Sequence, residues 1–539
     1  MSKPIILICL LLVIFSYSPT IFRSNYVQQD QWRAFRYSTL AQNPFFRAKG
    51  NLWMDGHYFM TGQPLVWFGE FIEHTLVSQI RDFVYLRLFA LMIVLLTVSY
   101  LGSIIFSWSK SPGLGVISLC LFVFVPGYAG AYFAGLTAFM QLICFILAGA
   151  SFSMFNRRQL KGSFILFLMA CLIYPIFAFI VFPLALIRFG FDGGNPIVKR
   201  FKDLVNAIVF YSFAAIIYYL FIKSYILICH LPSPDPLHQV GLQLKPIVIT
   251  GRINDIIKGF YNIPILNFYS PYGAGVALIL FFSVNIALDI TMKDKKSLIS
   301  LIVWSLGVFI LSVIVLVISL SPWLFSHYAG LPPRCVVPLN FFFCGTIIGL
   351  FARITGNLSD GIRRYVPLFL ILFLLIPSAM AQYRNSYLET EISRLEIGLL
   401  RSTLGKWLDH KGYTNNKYLL VVRPQLVRPT ILDQYPEKNF LGDNAVLSSA
   451  ENPVEILWMI NAVLRERADH PIGSGVEITN CNFDQYCAQK ALENGQIVLG
   501  LTNGGVITSK VPPFIINFSL LTSRPIYPVI QKIQKSTST

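Results

Sequence analysis

KGSFILFLMACLIYPIFAFIVFPLALIR, residues Lys161 to Arg188, is an apolar run between two basic flanks, and its reading decides the arrangement of the whole chain. As one helix it would cross a bilayer once. That would put Arg157, Arg158 and Lys161 on one side and Arg188, Lys199, Arg200 and Lys202 on the other. Folded back near Tyr174 and Pro175, it keeps both flanks on one side, as the excess of Lys and Arg in cytoplasmic loops demands. The second reading is adopted, with short spans at 162–174 and 176–188.

Outward from this stretch, each apolar run is bounded by a turn or a basic cluster, and the clusters recur at every second gap. Spans are expected at 84–107, 114–127, 133–155, 204–222, 274–291, 299–320, 335–352 and 365–380. Pro4 to Ile21 adds a first helix, read as an anchor because no A-x-A cleavage site follows it. The total is about eleven crossings. The gaps assigned to the cytoplasm hold Lys110, the two clusters named above, then Lys293, Lys295 and Lys296, then Arg353, Arg363 and Arg364. The N-terminus is then cytoplasmic. A composition of 55% hydrophobic and 13% charged residues excludes an ordinary soluble protein. Much of the net charge of +17 sits in these gaps, facing anionic headgroups, so no nucleic-acid partner is expected. No Walker A, GxGxxG or zinc spacing occurs, so no nucleotide cradle or metal cluster is expected either.

The polar chain on the opposite, external side gathers in loops at about 23–82, 223–273 and 321–334. The first contains SNYVQQDQWRAFRYSTLAQNPFFRAKGNLWMDGHYFMTGQP, Ser24 to Pro64, which is too long for a connector. It carries the candidate acids Asp30 and Asp55, with Glu70 just beyond, and the candidate binding residues Arg33 and His57 among several aromatics. Pro64 to Ile80 has the pattern of an amphipathic helix lying in the interface, with Leu65, Val66, Phe68, Phe71, Ile72, Leu76 and Ile80 apolar. The second loop offers Arg252, read either as part of a substrate-facing lid or as a solvated connector residue. The third, SPWLFSHYAGLPPR, offers His327 and Arg334, the latter suited to a phosphate clamp or to an interfacial anchor.

Residues 1–380 thus form a membrane domain. Beyond Ala381 the composition is that of soluble protein, and residues 381–539 are expected to form an external α/β domain. Leucines and isoleucines from Leu388 to Leu408 recur at helical spacing, a second helix is expected over Pro453 to Arg467, and strands at Tyr418 to Val422, Ile497 to Leu501 and Phe514 to Phe518. Six of the nine cysteines lie in or at spans as small apolar residues. Cys481 and Cys487 share the external domain and are expected to form a disulfide.

Charge-poor spans with acids, arginines and aromatics collected outside place a site at the outer interface, where a lipid-linked substrate presents its head group. Here the layout resembles the GT-C class of integral-membrane glycosyltransferases, most closely the bacterial and phage-encoded glucosyltransferases that decorate O-antigen. The resemblance is carried by a first helix leading into an external loop with an early acid, the Asp30 of YVQQDQW. It continues in the GQPL of Gly62 to Leu65, in the Arg87 of YLRLF and in the terminal α/β domain. It implies an enzyme of the bacterial inner membrane that moves a hexose from a polyprenyl-phosphate carrier to a cell-surface glycan. It implies Asp30 as the base and Arg252 or Arg334 at the phosphate. No organic cofactor is implied and a divalent cation is admitted, although the class commonly shows paired acids where Asp30 stands between Gln29 and Gln31. The alternatives are an O-antigen-type polymerase or ligase, and a flippase or exporter of lipid-linked sugar with no base at all.

Overall fold

In the computed structural model, the described residues are 2–22, 63–77, 79–109, 112–124, 138–192, 195–228, 248, 250–251, 274–294, 297–324, 337–356, 365–409, 418–422, 459, 462–463, 466, 477–480, 497–502, 505–509 and 514–517. Helices dominate them. Seven are long and apolar enough to cross a membrane, the mark of an integral membrane protein: Lys3–Phe22, Ile80–Ile104, Phe139–Asn156, Ile197–Ile228, Leu298–Ser319, Val337–Ile354 and Val366–Arg384. Shorter apolar helices lie at Leu114–Val123, Leu160–Ile173, Pro175–Phe191 and Gly275–Thr291.

The helices used below are α1 (Ser2–Phe22), α2 (Val66–Leu76), α3 (Phe83–Ser109), α4 (Pro112–Val123), α5 (Ala138–Asn156), α6 (Leu160–Ile173), α7 (Val181–Phe191), α8 (Ile197–Ile228), α9 (Ala274–Asp294), α10 (Leu298–Ser319), α11 (Val337–Gly356) and α12 (Ile376–Asp409). The stretch from Lys161 to Arg188 does reverse. α6 stops at Ile173 before the single helical turn Pro175–Ala178, and α7 then runs back. Pro175 has no N–H to continue the ladder of α6 and suits the first position of a new turn. Arg188, at the far end of α7, donates from Nη1 to Asn156 Oδ1, immediately before Arg157 and Arg158. Both basic flanks therefore lie at one end of the bundle. The halves do not pack as a simple hairpin, because α8 packs against both. Tyr211 of α8 meets Phe167 of α6 at 5.0 Å and Phe182 of α7 at 6.3 Å between ring centroids.

Tyr211 is fully buried, and its hydroxyl lies 3.2 Å from Ser151 Oγ and 3.3 Å from Ser163 Oγ. Those contacts tie α5, α6 and α8 through hydroxyls that would otherwise be stranded in hydrocarbon. A second seam is steric. Gly345 and Gly349, four apart on α11, face Ile187 and Phe191 of α7, so closely that a Cβ on Gly349 would lie 2.4 to 2.6 Å from Phe191 ring atoms. Small residues at this spacing let helices approach where lipid supplies no hydrophobic drive between them.

Two findings differ from the sequence reading. The last span and the leucine-rich segment after Ala381 form a single rod, from the short helix Val366–Leu370 through a π turn at Ile371–Leu375 into α12. The change from apolar to charged residues at Ala381 marks a change of surroundings without breaking the helix. α8 also extends well past 204–222 at both ends, because its polar first turn is a continuation of the same helix at the basic end. Further on, β1 (Tyr418–Val422) pairs in parallel with β2 (Glu477–Asn480) and β5 (Phe514–Asn517) in the order β2-β1-β5. β3 (Ile497–Thr502) and β4 (Gly505–Ser509) form an antiparallel pair. The helix expected over Pro453 to Arg467 falls largely outside the described residues. Five cysteines, Cys9, Cys120, Cys144, Cys171 and Cys344, are buried free thiols of the helices.

The seam gives a packing test. Gly349→Val should lower the thermal unfolding midpoint of the detergent-purified protein, reflecting an overpacking cost of about 1 to 3 kcal/mol. Gly307→Ala should not lower it, since nothing lies within 4 Å of a Cβ built there. The topology is checked separately with reporter fusions after Lys161 and Asn385, which should read out on opposite sides of the membrane.

Candidate functional site

Away from the basic flanks, the opposite end of the bundle is identified by its contacts. The turn before α2 is fastened there by Leu65 N–H, which donates to Leu172 O at 3.1 Å, and Tyr17 donates its hydroxyl to Val123 O. The amphipathic segment expected over Pro64 to Ile80 is a helix over Val66–Leu76, but its buried side is not its most apolar one. Val66, Glu73 and Val77 are buried, whereas Phe68 and Leu76 are about half exposed. At an interface the apolar side chains face the hydrocarbon, and the bundle receives the polar one. Glu73 is 1% exposed, a carboxylate brought into the protein interior.

α3 enters this end through a reciprocal cap. Asp82 accepts from the Gln79 backbone N–H at 2.7 Å, and the 3-10 turn Ile80–Asp82 leads directly into the helix. One turn later stands Arg87, the largest fully buried side chain described. Its Nη1 donates to Thr20 O at 3.3 Å, and the guanidinium carbon lies 5.8 Å from the centroid of Phe83, four residues earlier on the same face. Thr20 O is among the last carbonyls of α1, which have no partner within the helix and carry the negative end of its dipole. The cation is thus held at the tip of α1, where the chain enters 23–62, the loop of Asp30.

Other polar groups are buried toward this end: Thr20, Gln141 in the first turn of α5, Asn340 in the first turn of α11, and Gln382 of α12. Gln382 Nε2 donates to Ser386 Oγ at 3.2 Å. Its Oε1, and the Oγ1 of Thr20, have no hydrogen-bond partner among the described residues. Buried polar atoms left without partners each cost about 1 to 3 kcal/mol, so they are uncommon in interiors that serve packing alone.

Of the residues expected at the site, Asp30, Arg33, Asp55, His57, Arg252, His327 and Arg334 lie outside the described residues, as do Cys481 and Cys487. Glu70 lies on α2, three residues from Glu73. The sequence reading passed over Glu73 for Glu70. The signal that finds it is the spacing Val66, Gly69, Glu73 and Val77, which lines one helix face and buries an acid in it. Arg87 carries its own signal, a lone cation in a helix of 27 residues that is otherwise free of charge.

No family model matches the chain, and no curated protein is similar to it. Among solved structures, it is similar to the oligosaccharyltransferase of Archaeoglobus fulgidus in the apo form, at a TM-score of 0.37 and 11% identity over 78% of this chain. The chain spans 62% of the length of that protein, and an overlap this loose assigns neither fold nor activity.

Arg87 offers a test independent of any activity. Arg87→Leu should be tolerated better than Arg87→Ala in thermal unfolding, because leucine fills more of the space around Phe83 while alanine leaves a cavity worth about 2 to 4 kcal/mol. Equal melting of the two variants would show that the guanidinium, and not the volume, dominates.

Proposed function

We propose that the chain is a GT-C-type glycosyltransferase of the bacterial inner membrane. It would move a hexose from a polyprenyl-phosphate carrier to a cell-surface glycan on the extracytoplasmic side. The observation that carries this reading is Arg87, a fully buried guanidinium hydrogen-bonded to the tip of α1 where the Asp30 loop begins. A permanent cation is costly in a bundle of apolar helices. Held at the end of α1, which leads in sequence into Asp30, Arg33, Asp55 and His57, it favours an anionic substrate such as a lipid-linked phosphate.

In this reading Asp30 takes the proton from an acceptor hydroxyl. The oxygen attacks the anomeric carbon from the face opposite the phosphate, the new C–O bond forms with inversion, and the bond to phosphate oxygen breaks. Polyprenyl phosphate leaves with the electron pair and needs no general acid, unlike the alkoxide released from a glycoside. Arg33, His57, Arg252, His327 and Arg334 are assigned to the phosphate and sugar, with Asp55 and Glu70 as further acids of the same loop system. Residues 381–539 form an extracytoplasmic α/β domain in this proposal, and a disulfide joins Cys481 and Cys487.

Asp30→Asn should reduce sugar transfer by about a hundredfold to ten-thousandfold, with donor binding and membrane insertion unchanged. Arg334→Ala should instead weaken donor use by about tenfold or somewhat more. The measurement is transfer of labelled sugar from polyprenyl-phosphate donor in membranes matched for expression. Near-normal transfer by Asp30→Asn would remove the base from this site.

A further inference from the structure

The far tip of α1, at the end opposite the basic flanks, is built differently from the rest of that helix. Pro19 stands inside it, in SYSPTIF, Ser16 to Phe22, and has no N–H to donate to the carbonyl one turn back. That carbonyl belongs to Phe15, and Ser18 Oγ donates to it at 2.8 Å in place of the missing rung. Hydroxyls that take over freed carbonyls are what make proline tolerable inside a membrane helix. The helix is therefore continuous, with its backbone ladder broken at one point.

On the N-terminal side of the break, α1 is fixed to its neighbours. The Phe15 ring stacks on Tyr383 of α12 at 4.7 Å between centroids, and Tyr17 donates its hydroxyl to Val123 O at the end of α4. Beyond the break, Ile21 is buried but Phe22 is 58% exposed. The tip is tethered there by the Thr20 carbonyl, which accepts from Arg87 Nη1 at 3.3 Å, longer than the roughly 2.7 to 3.2 Å usual for N–H···O bonds. Thr20 Oγ1 adds no second tether, being buried with no hydrogen-bond partner among the described residues.

We propose that Pro19 is a hinge and the bond from Arg87 to Thr20 its latch, released by the phosphate of a lipid-linked substrate. The carbonyl offers the guanidinium one neutral oxygen, whereas a phosphate offers it an opposite charge and two parallel bonds, so the phosphate wins the competition. Once Arg87 turns to the phosphate, the tip beyond Pro19 loses its tether and swings about the broken rung. It carries with it the start of the chain that leads in sequence to Asp30. The identity of the anion rests on the function proposed above, while the hinge and latch rest on α1 and α3 alone.

Hydrogen–deuterium exchange of the full-length protein in detergent reads the tip directly, through peptides covering residues 15–22. Farnesyl phosphate is the probe, with farnesol as the uncharged tail and inorganic phosphate as the free anion. Farnesyl phosphate should speed exchange of the Thr20, Ile21 and Phe22 amides by about tenfold, the effect of losing one hydrogen bond, and farnesol should not. Arg87→Gln should exchange at the fast rate without ligand and respond no further. Pro19→Ala restores the rung and should cut the response to about a third or less, with binding of farnesyl phosphate, followed by thermal unfolding, retained. An undiminished response in Pro19→Ala overturns the hinge, and this holds even if Arg87→Gln fails to fold. Unchanged exchange with farnesyl phosphate bound, or slow exchange in folded Arg87→Gln, overturns the latch and leaves the proposed chemistry standing. Equal acceleration by inorganic phosphate overturns the lipid-linked trigger in favour of a free anion. Fast exchange in Arg87→Gln, with no binding of farnesyl phosphate by the unaltered protein, overturns that trigger together with the function proposed above.

Discussion

The hydrogen bond from Arg188 to Asn156 closes the loop on which the bundle's topology depends. It returns the chain to the end from which α6 departed, so that α8 starts beside the turn between α5 and α6. From there an ion network spreads along the same end. Arg188 approaches Asp203 of α8, Arg200 of α8 approaches Asp289 of α9, and Arg353 of α11 pairs with Asp289. Each acid of this network has a cation beside it, which lowers the cost of placing charges among apolar helices. Helices distant in sequence are thereby registered at a common level.

Between the ends, polar contacts are few and shape takes over. Lipid is as apolar as a leucine side chain, so burial alone does not distinguish helix–helix from helix–lipid contact. The interior instead uses close approach at Gly345 and Gly349, ring packing around Tyr211, and hydroxyls returned to nearby backbone carbonyls. Ser283, Thr291 and Ser312 donate to carbonyls one turn back on their own helices at 2.7 to 3.0 Å. Such residues are neutralised locally and carry no interhelical message.

These distinctions explain what could be read from the sequence. Apolar length located the apolar helices but not their ends, because it is a one-dimensional property set by the bilayer, and α8 and the last rod run well past their expected bounds. Charge position recovered the reversal near Pro175, because the basic flanks report sides and not contacts. The strand at Tyr418 was visible as an unbroken β-prone run, and the observed strand has the same bounds. The pairing of Arg200 and Arg353 with Asp289 was not visible, since three residues on three helices share no spacing. Glu73 was missed because the segment was read for its apolar residues, which says nothing of what its other face meets. For the candidate site, the sequence supplied Asp30, which lies outside the described residues, and the described structure contributes the end of the bundle where α1 stops, with Arg87 and Glu73.

At the basic end, Arg188, Arg200 and Arg353 face aspartates of neighbouring helices, an arrangement that fixes packing. At the opposite end, Arg87 donates to a backbone carbonyl of α1, and Thr20 Oγ1 and Gln382 Oε1 are buried with no hydrogen-bond partner among the described residues. A structure selected only for stability would replace the last two with apolar groups of similar shape at little or no cost, because removing both the group and its need for a partner is nearly neutral. Polar atoms kept under these conditions are most useful where something else approaches, and they lie on α1 and α12, at the end of the bundle where α1 stops at Phe22.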